Sequence, residues 1–248
     1  MSAYGSLEGK RVVVLGGTSG LGLAAAKAAA TDGANVVVAS SRQASVDAAL
    51  RELESLGSHA SVDGHVVNLA NEAEVRGFFE STGDFDHLIY TAGEAIRLGE
   101  LASTDLAKAR DYFDVRLWGA LAAVKYAAPH IARGGSVVLT TGIAGQRPQR
   151  GWALGAMICN AIEGLTRAMA MELAPVRVNA VCPGVVRTPL WREMSDGERD
   201  AMFRNVGAAL PVGRAGEAED IAEAYMFLMR ERYATGHVLV VDGGGLLV

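Results

Sequence analysis

The sequence predicts an α/β fold, with a doubly wound parallel sheet of about seven strands in a three-layer αβα arrangement. Short apolar runs alternate with helical patterns through all 248 residues. Most of these runs contain consecutive apolar residues, as in parallel strands that helices cover on both faces. No change of composition, internal repeat or low-complexity linker divides the chain, so residues 1–248 are predicted to form one domain.

Strands are predicted where β-branched and other apolar residues form short runs that end near glycine, proline or polar residues. In chain order these runs are residues 11–15, 35–39, 65–69, 87–90, 136–140, 177–181 and 237–241. Helices are predicted where strong helix formers recur at helical spacing. In chain order these segments are residues 21–31, 45–56, 72–80, 106–131, 156–174 and 218–229.

Ligands are expected at one edge of this sheet. Right-handed crossovers bring the carboxyl ends of all parallel strands to the same edge, and ligands bind there near the topological switch point. Residues 190–211, rich in Met, Arg and Glu, lie between a strand end and the last helix. We expect this segment to be mobile and to act as a substrate lid.

Composition and charge exclude several function classes. The formal net charge is −5 with acids and bases mixed along the chain, which argues against a nucleic-acid binder. Two cysteines, Cys159 and Cys182, suit a reducing compartment, and no metal site is expected. The first ten residues lack the apolar region of a signal peptide, and no apolar run reaches the ~18 residues of a membrane span. We therefore expect a cytoplasmic protein.

A glycine-rich turn follows the first strand and opens the first helix. Gly16, Gly20 and Gly22 are spaced G-x-x-x-G-x-G, and Thr18 and Ser19 add hydroxyl donors. Glycines let the backbone turn sharply and approach a pyrophosphate, and the helix N-terminus offers free N–H groups. Since a lone glycine cluster is often only a tight turn, its place in the first βα unit is what predicts a dinucleotide site.

The end of the second strand indicates which dinucleotide binds. Enzymes that use NAD usually place Asp or Glu there, whereas this chain has Ser41 and Arg42. Two hydroxyls at Ser40 and Ser41 and a planar guanidinium suit a 2′-phosphate, so NADP(H) is predicted in preference to NAD(H). The alternative is that Arg42 is an ordinary solvated arginine of the loop.

With these features, the chain resembles the short-chain dehydrogenase/reductase family from about Leu7 to its last residue. LGGTSGLG at 15–22 resembles the family's T-G-x-x-x-G-x-G, with Leu15 in place of the threonine. TAG at 91–93 resembles its N-A-G, and VNAVCPGVVRTP at 178–189 resembles the segment that holds the nicotinamide end. The segments 213–228 and 235–244 resemble the family's closing helix and strand.

The resemblance implies a Rossmann-like fold and a nicotinamide cofactor, with roles for particular residues. The three glycines and Leu21 would lie at the pyrophosphate, Arg42 at the 2′-phosphate and Asn68 at the adenine, and Leu69 beside Asn68 would also bind the cofactor. The adenosine ribose would be lined by Ala92 and Gly93, and the carboxamide would be fixed by Pro183, Gly184, Val186 and Thr188.

The resemblance also implies an oligomer. Family members are commonly dimers or tetramers that pack through two long helices, which here begin near Leu106 and Ala156. A homodimer or homotetramer is therefore expected.

The family's acid–base residues are an asparagine, a serine, a tyrosine and a lysine four residues after the tyrosine. Alignment of the helix puts Gly155 at the tyrosine, Cys159 at the lysine, Gly142 at the serine and Arg116 at the asparagine. No shift of register restores the pair, because no tyrosine lies between Tyr126 and Tyr225 and no lysine follows Lys125. The longer-spaced pair of enoyl reductases is excluded for the same reason.

Three residues are weak candidates for catalysis in their place, each with a structural alternative. Thr141 could donate a hydroxyl hydrogen bond or be an ordinary strand-end threonine. Cys159 could be a thiol near the ribose or a small apolar filler. Arg116 could orient an anionic substrate or pair with Asp111 or Asp114. Arginines in the loop 146–152 could add positive charge to the same pocket.

Two main hypotheses remain. The first is an NADP(H)-binding oxidoreductase that moves a hydride to or from a small carbonyl or imine-type substrate with a non-standard catalytic site. The second is a catalytically inactive homologue that binds the cofactor as a regulatory or structural subunit. A third, weaker option is a non-redox reaction in the same pocket. Substrate identity, reaction direction and oligomer number stay open.

Overall fold

Seven parallel strands form the central sheet of the protein. The computed structural model describes residues 5–58, 60–96 and 98–248. The strands are β1 (Arg11–Leu15), β2 (Asn35–Ser40), β3 (Val62–Val66), β4 (Phe85–Tyr90), β5 (Ile131–Thr140), β6 (Arg177–Pro183), β7 (Val186–Arg187), β8 (Gly216–Glu217) and β9 (Val238–Val241). The main sheet has the order β3-β2-β1-β4-β5-β6-β9, and β7 and β8 form a separate parallel pair. The order reverses between β1 and β4, which makes this the switch point.

Helices cover both faces of the sheet. They are α1 (Gly20–Thr31), α2 (Gln43–Glu54), α3 (Glu72–Thr82), α4 (Leu106–Phe113), α5 (Ala120–Ala127), α6 (Ala153–Glu172), α7 (Asp196–Ala209) and α8 (Ala218–Arg230). Alternate side chains of β1 face opposite layers: Val12 and Val14 pack with α1 and α8, and Val13 and Leu15 with α3 and α5. Burying both faces of each strand explains the uninterrupted apolar runs. The doubly wound, Rossmann-like αβα prediction is confirmed.

Two predicted elements differ from the structure. The predicted strand 65–69 lies earlier, at Val62–Val66, where Asp63 and Gly64 are tolerated because β3 is a partly exposed edge strand. The predicted helix 106–131 is interrupted: a π-helical turn at Asp114–Gly119 separates α4 from α5, and β5 already begins at Ile131.

The segment 190–211, predicted as a mobile lid, contains a helix that sequence reasoning missed. Ser195 caps α7, and the Ser195 and Glu198 side chains each bond the other residue's backbone N–H. This S-x-x-E spacing is typical of a helix N-terminus and could have predicted the start of α7 from the sequence. Trp191 and Phe203 are buried in a small apolar cluster with Ala215. The segment therefore has its own packed structure, and its action as a lid stays a prediction.

Candidate active site

The glycine-rich turn packs tightly against the end of β4. Gly16 has φ of +84°, a conformation that favours glycine, and a Cβ added there would lie 2.6 Å from the Ala92 backbone nitrogen. A Cβ added at Gly22 would collide with the Gly16 carbonyl and the Thr91 hydroxyl. The turn therefore joins the carboxyl ends of β1 and β4 at the switch point.

The N-terminus of α1 is open to an anion. Ser19 precedes the helix without a side-chain capping bond, and the first turn carries no acidic residue. Its backbone N–H groups and positive dipole end therefore remain available to phosphate oxygens. A Cβ added at Gly20 would lie 3.3 Å from the Thr188 Cβ, so the segment after β6 meets this helix end.

The residues predicted at the adenosine end lie at the outer part of the same edge. Ser41 and Arg42 are exposed, and Arg42 immediately precedes α2. Among the described residues, no acidic side chain forms an ion pair with Arg42. Asn68 is exposed and its side-chain oxygen accepts from the Ala70 backbone N–H at 3.1 Å, while Leu69 is buried. The Asn68 oxygen retains a second lone pair.

A cavity of about 620 Å³, including its solvent-filled mouth, lies beside this edge. Four segments contribute most of its wall: the π-helical turn, the loop after β5, the start of α6 and the segment after β6. The lining residues are Ile96, Tyr112, Arg116, Thr141, Gly142, Ile143, Ala144, Trp152, Gly155, Ile158, Cys159, Pro183, Gly184, Val185, Leu190 and Trp191. In this described lining, Arg116 is the one charged side chain.

Arg116 is presented by the π-helical turn, a rare backbone form that often marks functional sites. Its Nη2 donates to the Glu94 carbonyl, its Nε lies 3.7 Å from Glu94 Oε2, and its Cζ lies 5.1 Å from the Tyr112 ring centre. Nε and Oε2 are both buried without a hydrogen-bond partner among the described residues. The structural alternative for this arginine, an ion pair with a nearby acid, is present, but the acid is Glu94 and not Asp111 or Asp114.

Two residues that the sequence did not single out hold the π-helical turn. Tyr90 is buried, and its hydroxyl donates to the Val115 carbonyl. A Cβ at Gly119 would lie 2.8 Å from that hydroxyl and 2.6 Å from the Leu69 carbonyl oxygen, so only glycine leaves room for this bond. Burial raises the pKa of Tyr90 far above its usual range, so the phenol stays a neutral donor.

The Thr141 hydroxyl and the Cys159 thiol lie together in the cavity wall. The Thr141 hydroxyl donates to the Cys159 carbonyl at 3.0 Å, which engages its proton. Burial raises the pKa of the Cys159 thiol, and the nearby polar groups of Thr141 and the Gly145 backbone oppose this only in part. Cys159 is therefore a neutral thiol at neutral pH, which makes it a weak nucleophile.

The glycine positions leave the cavity open. A Cβ added at Gly155 would meet no atom within 4 Å, and one added at Gly142 would lie 3.4 Å from Cys159 Sγ. Side chains could therefore occupy both positions without displacing the backbone.

The loop 146–152 contributes to the cavity through Trp152, while its arginines turn elsewhere. Arg147 Nη1 donates to the Gly245 carbonyl at 2.9 Å, and Arg150 pairs with Glu100 at 2.9 Å. Neither guanidinium is part of the cavity wall. The positive charge of the wall therefore comes from Arg116 and is balanced by Glu94.

Within residues 5–58, 60–96 and 98–248, no group of three or more His, Cys, Asp or Glu side chains is arranged to hold a metal ion. None of the helices found there combines the length and hydropathy that crossing a membrane requires.

Comparisons with known proteins agree with this architecture. The family model described as enoyl-(acyl carrier protein) reductase matches residues 16–245. The short-chain dehydrogenase/reductase ucsE of Acremonium sp is 40% identical, over 97% of each chain.

Two solved structures are similar over nearly their whole length. A small-chain dehydrogenase in complex with NADPH has a TM-score of 0.84 and 36% identity, covering 97% of this chain and 100% of that one. The MalC reductase/Diels-Alderase from Malbranchea aurantiaca has a TM-score of 0.91 and 28% identity, covering 99% of each chain. The chain belongs to the short-chain dehydrogenase/reductase family of oxidoreductases.

Proposed function

We propose that this protein binds NADP(H) and transfers a hydride to or from a small carbonyl or imine-type substrate, with a non-standard catalytic site. One observation carries the proposal: the cavity shares Pro183 and Gly184 with the segment whose Thr188 meets the start of α1. A dinucleotide whose pyrophosphate lies at that helix end can therefore extend its nicotinamide ring into the cavity.

The cofactor is assigned to residues along the carboxyl edge of the sheet. They are Gly16, Thr18, Ser19, Gly20, Leu21, Gly22, Ser41, Arg42, Asn68, Leu69, Ala92, Gly93, Pro183, Gly184, Val186 and Thr188. The uncapped N-terminus of α1 supports phosphate binding, and Arg42, which pairs with no acid among the described residues, supports a 2′-phosphate. A similar solved structure, the small-chain dehydrogenase, contains NADPH, which agrees with this assignment.

When bound, the nicotinamide supplies or accepts the hydride, and the chain must orient the substrate and manage the proton. Gly155 and Gly142 carry no group that could donate one. A guanidinium such as that of Arg116 keeps its protons and acts as a hydrogen-bond donor. Of the four aligned positions, the one with an acidic side chain is Cys159, and burial raises the pKa of its thiol. These properties favour substrates that need no proton from the protein, or that take it from water.

The experiment is NADPH oxidation with matched ketones, cyclic imines and quinones, after NADPH binding has been measured by calorimetry. We expect binding, and turnover of at least one class. The matched variant is Gly155→Leu, which fills the cavity from a helical position where leucine is also the better helix former. It should lose turnover with an unchanged or higher melting temperature. Tight NADPH binding without turnover of any class contradicts the proposal.

A second candidate is a non-catalytic subunit whose fold or partner contacts depend on the cofactor. It is favoured by the residues at the four positions aligned with the acid–base set, which are Gly155, Cys159, Gly142 and Arg116. A third option, a non-redox reaction, is supported by the similarity to MalC, which is described as a reductase/Diels-Alderase. Addition of NADP(H) that changes neither melting temperature nor oligomeric state would contradict the second candidate.

Homodimer or homotetramer formation is proposed through the helical layer that contains α5 and α6. Trp118, just before α5, is 60% exposed, and Met157 and Met171 on α6 are 57% and 82% exposed. Exposed apolar side chains at this density are typical of subunit contacts. Light scattering on the purified chain measures the mass, and a monomer at micromolar concentration would contradict the proposal.

A further inference from the structure

The Arg116 guanidinium lies between two parts of the carboxyl edge of the sheet. On one side it covers Gly93: a Cβ added there would lie 2.6 Å from Arg116 Cζ. The neighbouring residue, Ala92, contacts Gly16 of the glycine-rich turn. On the other side Arg116 lines the cavity together with Pro183 and Gly184. A dinucleotide has a ribose on each side of its pyrophosphate, and the one on the side of this cavity carries the nicotinamide ring.

The guanidinium is held in place and keeps one nitrogen available. Nη2 donates to the Glu94 carbonyl, the Tyr112 ring lies beneath Cζ, and the Glu94 carboxylate lies next to Nε. In the part of the chain that the structure describes, no acceptor lies within hydrogen-bond distance of Nη1. Because the contacts with Glu94 and Tyr112 already restrict the Arg116 side chain, a hydrogen bond from Nη1 to a ligand costs little further side-chain entropy.

The charge of this pair selects the kind of group that Nη1 can bind. The Glu94 carboxylate, with Oε2 at 3.7 Å from Arg116 Nε, balances the guanidinium and would repel a second anion such as a phosphate. A hydroxyl is neutral and accepts a hydrogen bond. A ribose hydroxyl therefore fits this position better than a phosphate oxygen.

We propose that Arg116 binds a hydroxyl of the nicotinamide-side ribose through Nη1, in place of the lysine whose aligned position is Cys159. This inference rests on the NADP(H) binding proposed above. It makes the arginine part of the cofactor site instead of a binder of anionic substrates. It also assigns Glu94 a positioning role, because its carbonyl and carboxylate both orient the guanidinium.

The test compares the binding affinities of three compounds, NADPH and two of its fragments, by calorimetry, so it needs no known substrate. NADPH and 2′-phospho-ADP-ribose both contain the second ribose, whereas 2′-phospho-ADP keeps the pyrophosphate and lacks that ribose. For Arg116→Met we expect about 10- to 100-fold weaker binding of the first two compounds, as for the loss of one charge-assisted hydrogen bond. Binding of 2′-phospho-ADP should be unchanged, which also shows that the variant is folded.

Two further variants sharpen the result. Arg116→Lys keeps a cationic donor and should recover part of the lost affinity. Arg110→Met removes an exposed arginine from α4 and should leave all three affinities unchanged.

Three outcomes overturn the inference. Unchanged NADPH binding in Arg116→Met shows that the arginine does not contact the cofactor. Equal weakening of all three compounds assigns it to the pyrophosphate, to the adenosine ribose or to the fold. If the unaltered protein binds none of them, the proposed NADP(H) function itself fails, which is a separate result from the other two.

Discussion

Under the proposed NADP(H) binding, we expect discrimination between the two nicotinamide cofactors to depend on a single exposed side chain. Arg42 lies at the end of β2, immediately before α2, and no acidic partner engages it among the described residues. A free guanidinium matches the geometry of a phosphate, and hydrogen bonds to charged groups contribute about 1.5–3 kcal/mol each. NADH lacks that phosphate, so the arginine should act on NADPH alone.

Replacing this arginine therefore gives a selective effect. For Arg42→Gln we expect the dissociation constant of NADPH to rise about 10- to 100-fold and that of NADH to stay unchanged, both measured by calorimetry. Arg51→Gln is the matched control, because it removes an exposed arginine from α2, the helix that Arg42 precedes. Equal affinity of the unaltered protein for the two cofactors would show that Arg42 is the solvated arginine of the alternative interpretation.

At the scale of elements, the π-helical turn depends on one buried hydroxyl. The Tyr90 hydroxyl donates to the Val115 carbonyl inside the turn, next to Gly119. Removing it leaves a buried carbonyl without its partner, which costs about 1–3 kcal/mol. For Tyr90→Phe we expect this loss in urea unfolding, and a melting temperature lower by roughly 2–4 °C per kcal/mol.

Tyr126→Phe is the control for this prediction. The Tyr126 hydroxyl also forms a hydrogen bond, to Glu72 at 2.6 Å, but this bond is exposed to water. Its loss should change stability by less than about 1 kcal/mol. If the two variants are equally stable, the Tyr90 hydroxyl does not support the turn.

The elements that the sequence predicted have a local cause, whereas the π-helical turn that interrupts the predicted helix 106–131 has a distant one. The runs in β1 and β2 were recognisable because both faces of these strands are buried, which requires consecutive apolar residues. The π-helical turn had no signal in its own residues, because Tyr90, at the end of β4, stabilises it. In the candidate site the glycine-rich turn was readable, but the contact of Arg116 with Glu94 was not, since it depends on how the two segments pack.

At the scale of the whole molecule, the sheet buries an ionisable group that must stay neutral. His87 on β4 is 5% exposed, and its Nδ1 lies 2.9 Å from the Ser136 hydroxyl on β5. Burial lowers the pKa of His87 to about 4, an effect that Asp86 opposes and that Arg177 and Lys10 reinforce. Protonation of this ring in place would put an unpaired charge between two central strands.

The pH dependence of folding follows from this shift. An unfolded histidine titrates near pH 6.5, so above that pH both states are neutral and the residue adds no pH dependence. As the pH falls from about 6.5 to about 4, this histidine binds a proton in the unfolded chain but not in the folded protein. Stability should then fall by about 1.4 kcal/mol per pH unit, or roughly 3 kcal/mol in all.

Urea unfolding at about pH 7 and about pH 4.5 measures this effect. In His87→Gln the loss of stability between these two pH values should be smaller than in the unaltered protein by roughly 2–3 kcal/mol. His237→Gln, which changes an exposed histidine before β9, should retain the full loss. The remaining acid sensitivity of His87→Gln would come from carboxylates such as Asp86, whose pKa is lowered by hydrogen bonds from the Arg11 backbone and Lys10 although burial opposes them. An identical pH dependence in all three proteins would mean that His87 takes up its proton in the folded state, and that the sheet opens at this strand to admit it.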